Sequence, residues 1–146
     1  KGKFNLVCNF FSSFGYFSND QENFQALRSM VNCLKPGGKL VIQMINRDFL
    51  MSVYDPARWG DDKNYFWLES SKYDSKSHYN ETQRIFIDKK TSKAHRYYFR
   101  IRQYSVPELV KLMKRAGLKD IEVYNGPDGK PVNRKKSTPP IYIGTK

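Results

Sequence analysis

Two short apolar runs separated by one amphipathic helix constrain this chain more than any other feature. Residues 4–10 read Phe-Asn-Leu-Val-Cys-Asn-Phe, and residues 39–45 read Lys-Leu-Val-Ile-Gln-Met-Ile. Each has the length of a strand and the apolar content of a parallel strand covered on both faces. Between them, Asp20–Leu34 is helical in pattern: Phe24, Leu27, Val31 and Leu34 recur at helical spacing and are expected to face a sheet. Asn19, with Glu22 three residues on, supplies a capping-box start. Pro36-Gly37-Gly38 stops the helix and turns the chain. Two parallel strands joined by one helix make a right-handed crossover, so the segment up to Ile45 predicts an α/β fold.

The middle of the chain has a different period. Asn46–Trp59 reads as a short helix and loop. Tyr65–Tyr73, Glu81–Asp88 and Ala94–Tyr104 read as three strands of a small antiparallel sheet, with Asp88-Lys89-Lys90-Thr91-Ser92 as a hairpin connection. The α/β pattern then returns. Ser105, with Glu108 three residues on, starts a helix whose buried stripe is Leu109, Leu112, Met113 and Ala116, and Gly117 ends it. Lys119–Tyr124 is a strand, Asn125–Thr138 a long polar loop, and Ile141–Gly144 a last short strand.

Composition narrows the class. Of 146 residues, 39% are hydrophobic and 15% aromatic, which suits one folded domain and argues against disorder. No apolar run approaches the ~20 residues that a membrane span needs, and no signal-peptide pattern opens the sequence. Cys8 and Cys33, inside an apolar strand and near a helix end, read as small buried hydrophobes of a reducing, cytoplasmic protein. His78 and His95 have no cysteine or carboxylate at ligand spacing, so no metal site is expected. Lys and Arg number 26 against 14 acidic residues, a net charge of +12 that favours anionic partners.

Ligands of an open parallel sheet bind beyond the carboxyl ends of its strands. That rule points to Asn9–Phe17 and Asn46–Asp48. The first segment carries Phe10, Phe11, Phe14, Tyr16 and Phe17, with Ser12, Ser13 and Gly15 between them. Rings in such a loop either line a pocket or plug the top of the sheet, and the sequence leaves both open. A second surface lies on the last strand of the middle region. There Arg96, Tyr98, Arg100 and Arg102 alternate with Tyr97, Phe99 and Ile101, giving one basic face and one apolar face. Such a basic face either grips a nucleic acid or is a solvated outer surface. Lys130, Arg134, Lys135 and Lys136 add charge to the late loop.

Taken in order, these motifs resemble the second half of a class I S-adenosylmethionine (SAM)-dependent methyltransferase. Asn9-Phe10-Phe11-Ser12-Ser13-Phe14-Gly15-Tyr16-Phe17 looks like the segment after that family's fourth strand, and Leu34-Lys35-Pro36-Gly37-Gly38-Lys39-Leu40 looks like the turn before the fifth. Asn46-Arg47-Asp48 follows that strand, as in relatives with an inserted β-sheet. Tyr104-Ser105-Val106-Pro107-Glu108-Leu109 through Ala116-Gly117-Leu118 resembles the last helix. Lys119–Tyr124 would be the sixth strand and Pro140–Gly144 the seventh, antiparallel one. The resemblance implies a Rossmann-like core from residues 1–45 and 105–146. Residues 46–104 would form a small inserted antiparallel sheet over the active-site mouth. Two family features are absent: the Gly-rich loop after the first strand and the acidic residue after the second. The chain is therefore expected to be a fragment, inactive alone, that lacks an N-terminal half or meets it as a partner chain. An exposed edge is then expected on the Phe4–Phe10 strand.

The resemblance also implies methyl transfer from SAM to a small-molecule acceptor. Asn9, Phe10, Ser12 and Phe14 are cofactor-binding candidates. Phe14, like Tyr16, offers a ring face to a sulfonium cation, while Asn9 and Ser12 offer hydrogen bonds. Tyr16 is the catalytic candidate, orienting the acceptor atom. Tyr16, Phe17, Arg47, Tyr54, Arg58 and Trp59 are acceptor-side candidates. For Arg47 and Arg58 the alternative is a structural ion pair, and for Trp59 packing between the two parts of the fold. No general base is visible in the sequence. Rival readings are a basic nucleic-acid-binding module, a methyltransferase acting on RNA, and a non-catalytic piece that works with a partner chain.

Overall fold

A computed structural model describes residues 2–132 and 138–146. Arg134, Lys135 and Lys136 of the late loop lie outside the described residues. In chain order the elements are β1 (Phe4–Asn9), α1 (Asp20–Cys33), β2 (Leu34–Gln43), α2 (Arg47–Ser52), β3 (Ala57–Asp61), β4 (Tyr65–Tyr73), β5 (Tyr79–Asp88), β6 (Ala94–Arg102), α3 (Val106–Arg115), β7 (Lys119–Tyr124) and β8 (Ile141–Thr145). They build two four-stranded sheets, ordered β1-β2-β8-β7 and β3-β4-β5-β6. No helix of the described residues is long and apolar enough to cross a membrane.

The first sheet starts with the predicted crossover, β1 and β2 pairing in parallel. Asn19 caps α1, its Oδ1 accepting from the Glu22 N–H at 2.9 Å. Glu22 answers by accepting from the Ser18 N–H at 3.1 Å and from Asn19 Nδ2 at 3.0 Å. Leu27, Val31 and Leu34 are buried as their spacing predicts, but Phe24 is only half-buried, its ring under the Arg115 guanidinium at 3.9 Å. Asn23 takes the buried position beside it. Pro36-Gly37-Gly38 is not a linker before the second strand but a bulge inside it. Phe4 pairs with Leu34 and Leu6 with Lys39, so the residues between them loop out of the ladder. At position 38 a Cβ would lie 3.0–3.2 Å from the carbonyl oxygens of Lys35, Phe4 and Asn5, so a larger residue would crowd the bulge.

β8 lies antiparallel between β2 and β7. The α3 helix begins with the predicted capping box, Ser105 and Glu108 each bonding the other's backbone N–H. Leu40, Ile42 and Tyr142 from the sheet meet Leu27 and Val31 of α1 and Leu109 and Met113 of α3 in one core. Both helices therefore cover the same face. Register places Leu6, Cys8, Val41 and Ile143 on the opposite face, and there Leu6 is 54% exposed and Cys8 is exposed. This corrects two expectations. β1 is not covered on both faces, because no described element packs on its second one. Neither cysteine is buried: Cys8 shares the bare face, and Cys33 ends α1 away from its buried stripe.

The second sheet is contiguous in sequence and lies between α2 and α3. It contains a strand, β3, within a region read from sequence as a helix and loop with Tyr65 as the first strand residue beyond it. The segment Ala57-Arg58-Trp59-Gly60-Asp61 has one strong β-former, and its extended form is supplied by pairing with β4, Trp59 opposite Leu68. The β5–β6 hairpin is closed by Asp88, whose carboxylate accepts from the Lys90 and Thr91 N–H groups at 2.9 and 2.8 Å. Because side chains alternate, Arg58, Glu69, Arg84 and Tyr97 form a row on one face, and Trp59, Leu68, Ile85 and Arg96 a row on the other.

One-sided coverage of the first sheet has a measurable consequence. Leu40→Ala, at a fully buried position, is expected to cost about 2–5 kcal/mol in urea unfolding of this chain. Leu6→Ala on the bare face is expected to stay within about 0.5 kcal/mol.

Candidate functional site

The segment after β1 is bent sharply and tied to the end of β2. Phe11 and Ser12 both adopt left-handed backbone, with φ of 58° and 55°, a costly conformation for side-chain-bearing residues. Four bonds hold it. Gln43 accepts from the Phe11 N–H through Oε1 at 3.1 Å and from the Ser12 N–H through its carbonyl at 3.1 Å. The Ile45 N–H donates to Ser12 Oγ at 3.0 Å, and the Ser13 N–H donates to the Phe10 carbonyl at 3.3 Å. The bend turns Phe11 outward, 90% exposed, and leaves Phe10, Tyr16 and Phe17 exposed as well. Phe14 goes the other way. It is 2% exposed and stacks on Tyr104 with ring centroids 5.5 Å apart.

Two side-chain atoms at the carboxyl ends of the paired parallel strands are shielded from solvent without a hydrogen-bond partner: Asn9 Oδ1 on the last residue of β1 and Asn46 Nδ2 after β2. Asn46 uses its own Oδ1 to cap α2. A shielded acceptor and a shielded donor without partners cost free energy.

One end of the second sheet meets this bent segment. The Tyr16 ring lies 6.2 Å from Phe99 of β6. Tyr54 Oη donates to Asn80 Oδ1 at 3.2 Å, and Asn80 Nδ2 donates to Thr82 Oγ1 at 3.1 Å. Tyr73 Oη bonds His78 Nδ1 at 2.7 Å. Burial, then the positive charges of Arg47 and Arg102, push the His78 pKa down, which keeps the ring neutral at pH 7. Further out on the same face, buried Glu69 bonds both Arg58 and Arg84. Burial alone raises its pKa, but the two guanidiniums outweigh burial and hold it below the usual range.

Arg102 locks the two sheets together. Only 7% exposed, it binds Asp20 Oδ1 at 3.0 Å and Glu108 Oε1 at 3.3 Å, donates to the Gln103 carbonyl, and lies over Tyr104 at 4.7 Å. Its backbone N–H donates to the Gly15 carbonyl at 2.8 Å. Glu108 also binds Arg47 at 2.6 Å. Burial pushes the Glu108 carboxyl up, but hydrogen bonds from Ser105 and Arg47 outweigh it and bring the pKa down to about 2.

The sequence-derived candidates are thus separated. Asn9, Ser12, Tyr16 and Phe17 share the bent segment with Phe10, while Phe14 is core. Arg47 is paired with Glu108 and Arg58 with Glu69, as the ion-pair alternative has it. Tyr54 and Arg58 are on the face that includes Asn80, and Trp59 is turned to the opposite face. Reading Arg58 and Trp59 as one cluster depended on missing β3, since neighbouring strand residues point apart. Of the expected basic stripe, Arg102 is buried, and Arg100 pairs with Glu81 at 3.4 Å and covers the Tyr79 ring at 4.0 Å. Gln43 and the Tyr73–His78 pair were missed. The pair flanks a tight β4–β5 turn, so reading that turn as a hairpin brings the two residues together.

Two variants test this arrangement. Gly15 has φ +104°, and a Cβ there would lie 2.7 Å from the Arg102 carbonyl oxygen. Gly15→Ala is expected to cost about 1–3 kcal/mol of stability in urea unfolding. Glu108 has its folded pKa depressed from 4.5 to about 2, so its contribution is present above the unfolded value and lost as pH falls through the folded one. Urea midpoints measured from pH 5 to pH 2 are expected to fall less steeply in Glu108→Gln than in the unaltered chain.

The sequence matches no family model and no curated protein. Solved structures match closely in shape. The methyltransferase CcbJ from Streptomyces caelestis superposes with a TM-score of 0.82 at 18% identity, covering 98% of this chain and 61% of its own. A SAM-dependent methyltransferase from Clostridium acetobutylicum gives 0.80 at 16% identity, with 99% and 58% covered. The sugar N-methyltransferase KedS8 from Streptoalloteichus gives 0.63 at 15%, with 99% and 57% covered. The chain therefore spans about 60% of the length of the structures it matches. Over that span it has the fold of SAM-dependent methyltransferases.

Proposed function

We propose that this chain is the C-terminal half of a SAM-dependent methyltransferase domain acting on a small molecule, with residues 46–104 as the inserted acceptor-side region. The observation that carries the reading is the pair of shielded, partnerless atoms, Asn9 Oδ1 and Asn46 Nδ2, at the ligand-binding end of a parallel pair. SAM supplies an activated methyl on a sulfonium. Asn9 accepts from, and Asn46 donates to, its amino-acid end. The exposed rings of Phe11 and Tyr16 face the cation, a role the buried Phe14 leaves to them. Tyr16, Phe17 and Tyr54 bound the acceptor, and a sugar amine of the kind named for KedS8 is the acceptor class the reading favours. Holding acceptor and methyl donor in line supplies much of the acceleration.

The Gly-rich loop and ribose-binding acid are supplied by an N-terminal segment that packs on the bare face of Leu6, Cys8, Val41 and Ile143 and beside β1. Exposed, unpaired thiols at Cys8 and Cys33 suit a reducing compartment such as the cytoplasm. The nucleic-acid reading loses its main support, since Arg100 and Arg102 are engaged within the chain.

Calorimetric titration of SAM and of S-adenosylhomocysteine tests the proposal. Binding is expected when the upstream segment is present, and its loss is expected in the chain alone. Absence of binding in both, with folding shown by circular dichroism, overturns it.

A further inference from the structure

We propose that the groove between α1 and α3 binds a small phosphate monoester, held by the guanidiniums of Arg28 and Arg115 and by the Tyr104 hydroxyl. The groove has a volume of about 480 Å³, within the range of small-molecule sites. None of its lining residues belongs to the proposed methyl-transfer site, and the groove does not depend on that reading.

The two helices build it from their own spacing. Gln21, Phe24, Gln25 and Arg28 lie at i, i+3, i+4 and i+7 of α1, so they form one stripe. Across from them stand Leu112 and Arg115 of α3, three apart and therefore neighbours on its surface. The Arg115 guanidinium lies over the Phe24 ring at 3.9 Å, a contact that restrains its plane.

Charge in the groove is unbalanced. Among the described residues neither Arg28 nor Arg115 is in an ion pair, and both are exposed. Asp20 is the acid in the lining, and it is already bound to the buried Arg102 at 3.0 Å. Two guanidiniums are thus left for an outside anion. Their forks match phosphate oxygens in geometry and charge, and two cations match the dianion of a phosphate monoester.

A second, independent observation is the Tyr104 hydroxyl. Tyr104 lines the same groove and is only 4% exposed, yet its Oη is shielded and has no hydrogen-bond partner. Burial, then the nearby Asp20 charge, push its pKa up, so the hydroxyl is a donor at neutral pH. A buried hydroxyl without a partner costs free energy, and an acceptor atom entering the groove removes that cost. Tyr104 belongs to the Asp20 end, since Arg102 both binds Asp20 and covers the Tyr104 ring. Arg28 is two turns further along α1, ~12 Å from Asp20. The ligand is therefore a phosphate monoester with an apolar body for Phe24 and Leu112 and an acceptor atom at its far end.

Calorimetric titration of the chain at low ionic strength, with inorganic phosphate, phenyl phosphate and para-nitrophenyl phosphate as probes, tests this. Affinity is expected to rise in that order, and Arg28→Gln and Arg115→Gln are each expected to weaken the two esters about tenfold. Both positions are exposed, so folding is retained and is checked by circular dichroism. Tyr104→Phe is expected to weaken para-nitrophenyl phosphate about threefold, to leave phenyl phosphate unchanged, and not to lower the urea midpoint. Arg96→Gln, at an exposed position on β6, is expected to leave every affinity unchanged. Absence of binding by all three probes overturns the proposal. So does binding insensitive to both α-helical arginine variants, or weakened as much by Arg96→Gln, which marks attraction to net charge alone. A lowered urea midpoint in Tyr104→Phe with unchanged para-nitrophenyl phosphate binding marks the hydroxyl as structural and also overturns it.

Discussion

Arg102 is the interaction on which the arrangement of this molecule depends. A buried guanidinium is tolerated when charge and hydrogen bonds both reach it, and here they arrive from three directions. Asp20 comes from the start of α1, Glu108 from the start of α3, and the third partner is the adjacent Gln103 carbonyl, while the Arg102 backbone N–H separately donates to the Gly15 carbonyl of the bent segment after β1. The last strand of one sheet is thereby fixed to both helices that cover the other. Asn23 repeats the device nearby. It donates to Tyr79 Oη at 2.9 Å and accepts from the Phe17 N–H at 3.3 Å, while Tyr79 Oη donates to the Phe17 carbonyl at 3.2 Å. The mouth of the candidate site is therefore bounded by polar bonds between segments far apart in sequence, with the apolar core lying below it.

That division explains the strain after β1. Phe11 and Ser12 hold left-handed backbone because Gln43, Ile45 and Phe10 over-determine the segment. Such strain persists only where the surroundings enforce it, and it clusters at ligand sites. Here it aims Phe11 at solvent while Phe14, three residues on, anchors the segment to Tyr104. Under the proposed function the fixed backbone at Phe11 leaves less ordering entropy to be lost on binding than a free loop would.

The elements legible in the sequence were those specified by local signals. The α1 and α3 starts followed from Asn19–Glu22 and Ser105–Glu108, and β4 and β7 from their own apolar and aromatic patterns. The β3 strand was not legible, because Ala57–Asp61 is extended only through its pairing with β4. Burial was legible only on the assumption that a parallel strand is always sandwiched. Leu6 and Cys8 have core-type side chains, yet nothing in the described residues meets them. At the candidate site, residue types singled out Asn9–Phe17 as a segment but could not separate Phe14, turned inward, from Phe11, turned outward. Arg102 looked like one more member of a basic stripe, since its partners Asp20 and Glu108 are remote in sequence.

The two sheets leave different groups open. On the first sheet, Leu6 and Cys8 belong to an edge strand, and β1 pairs on one side only. Whatever covers that face also has open backbone donors and acceptors to satisfy, which favours further strands with their own helices. The second sheet differs: between its edge strands the ladders from β3 to β6 are complete, so Trp59, Phe66 and Leu68 stand exposed on a backbone that is already paired. At β1 both side chains and backbone groups are open, whereas around Trp59 only side chains are.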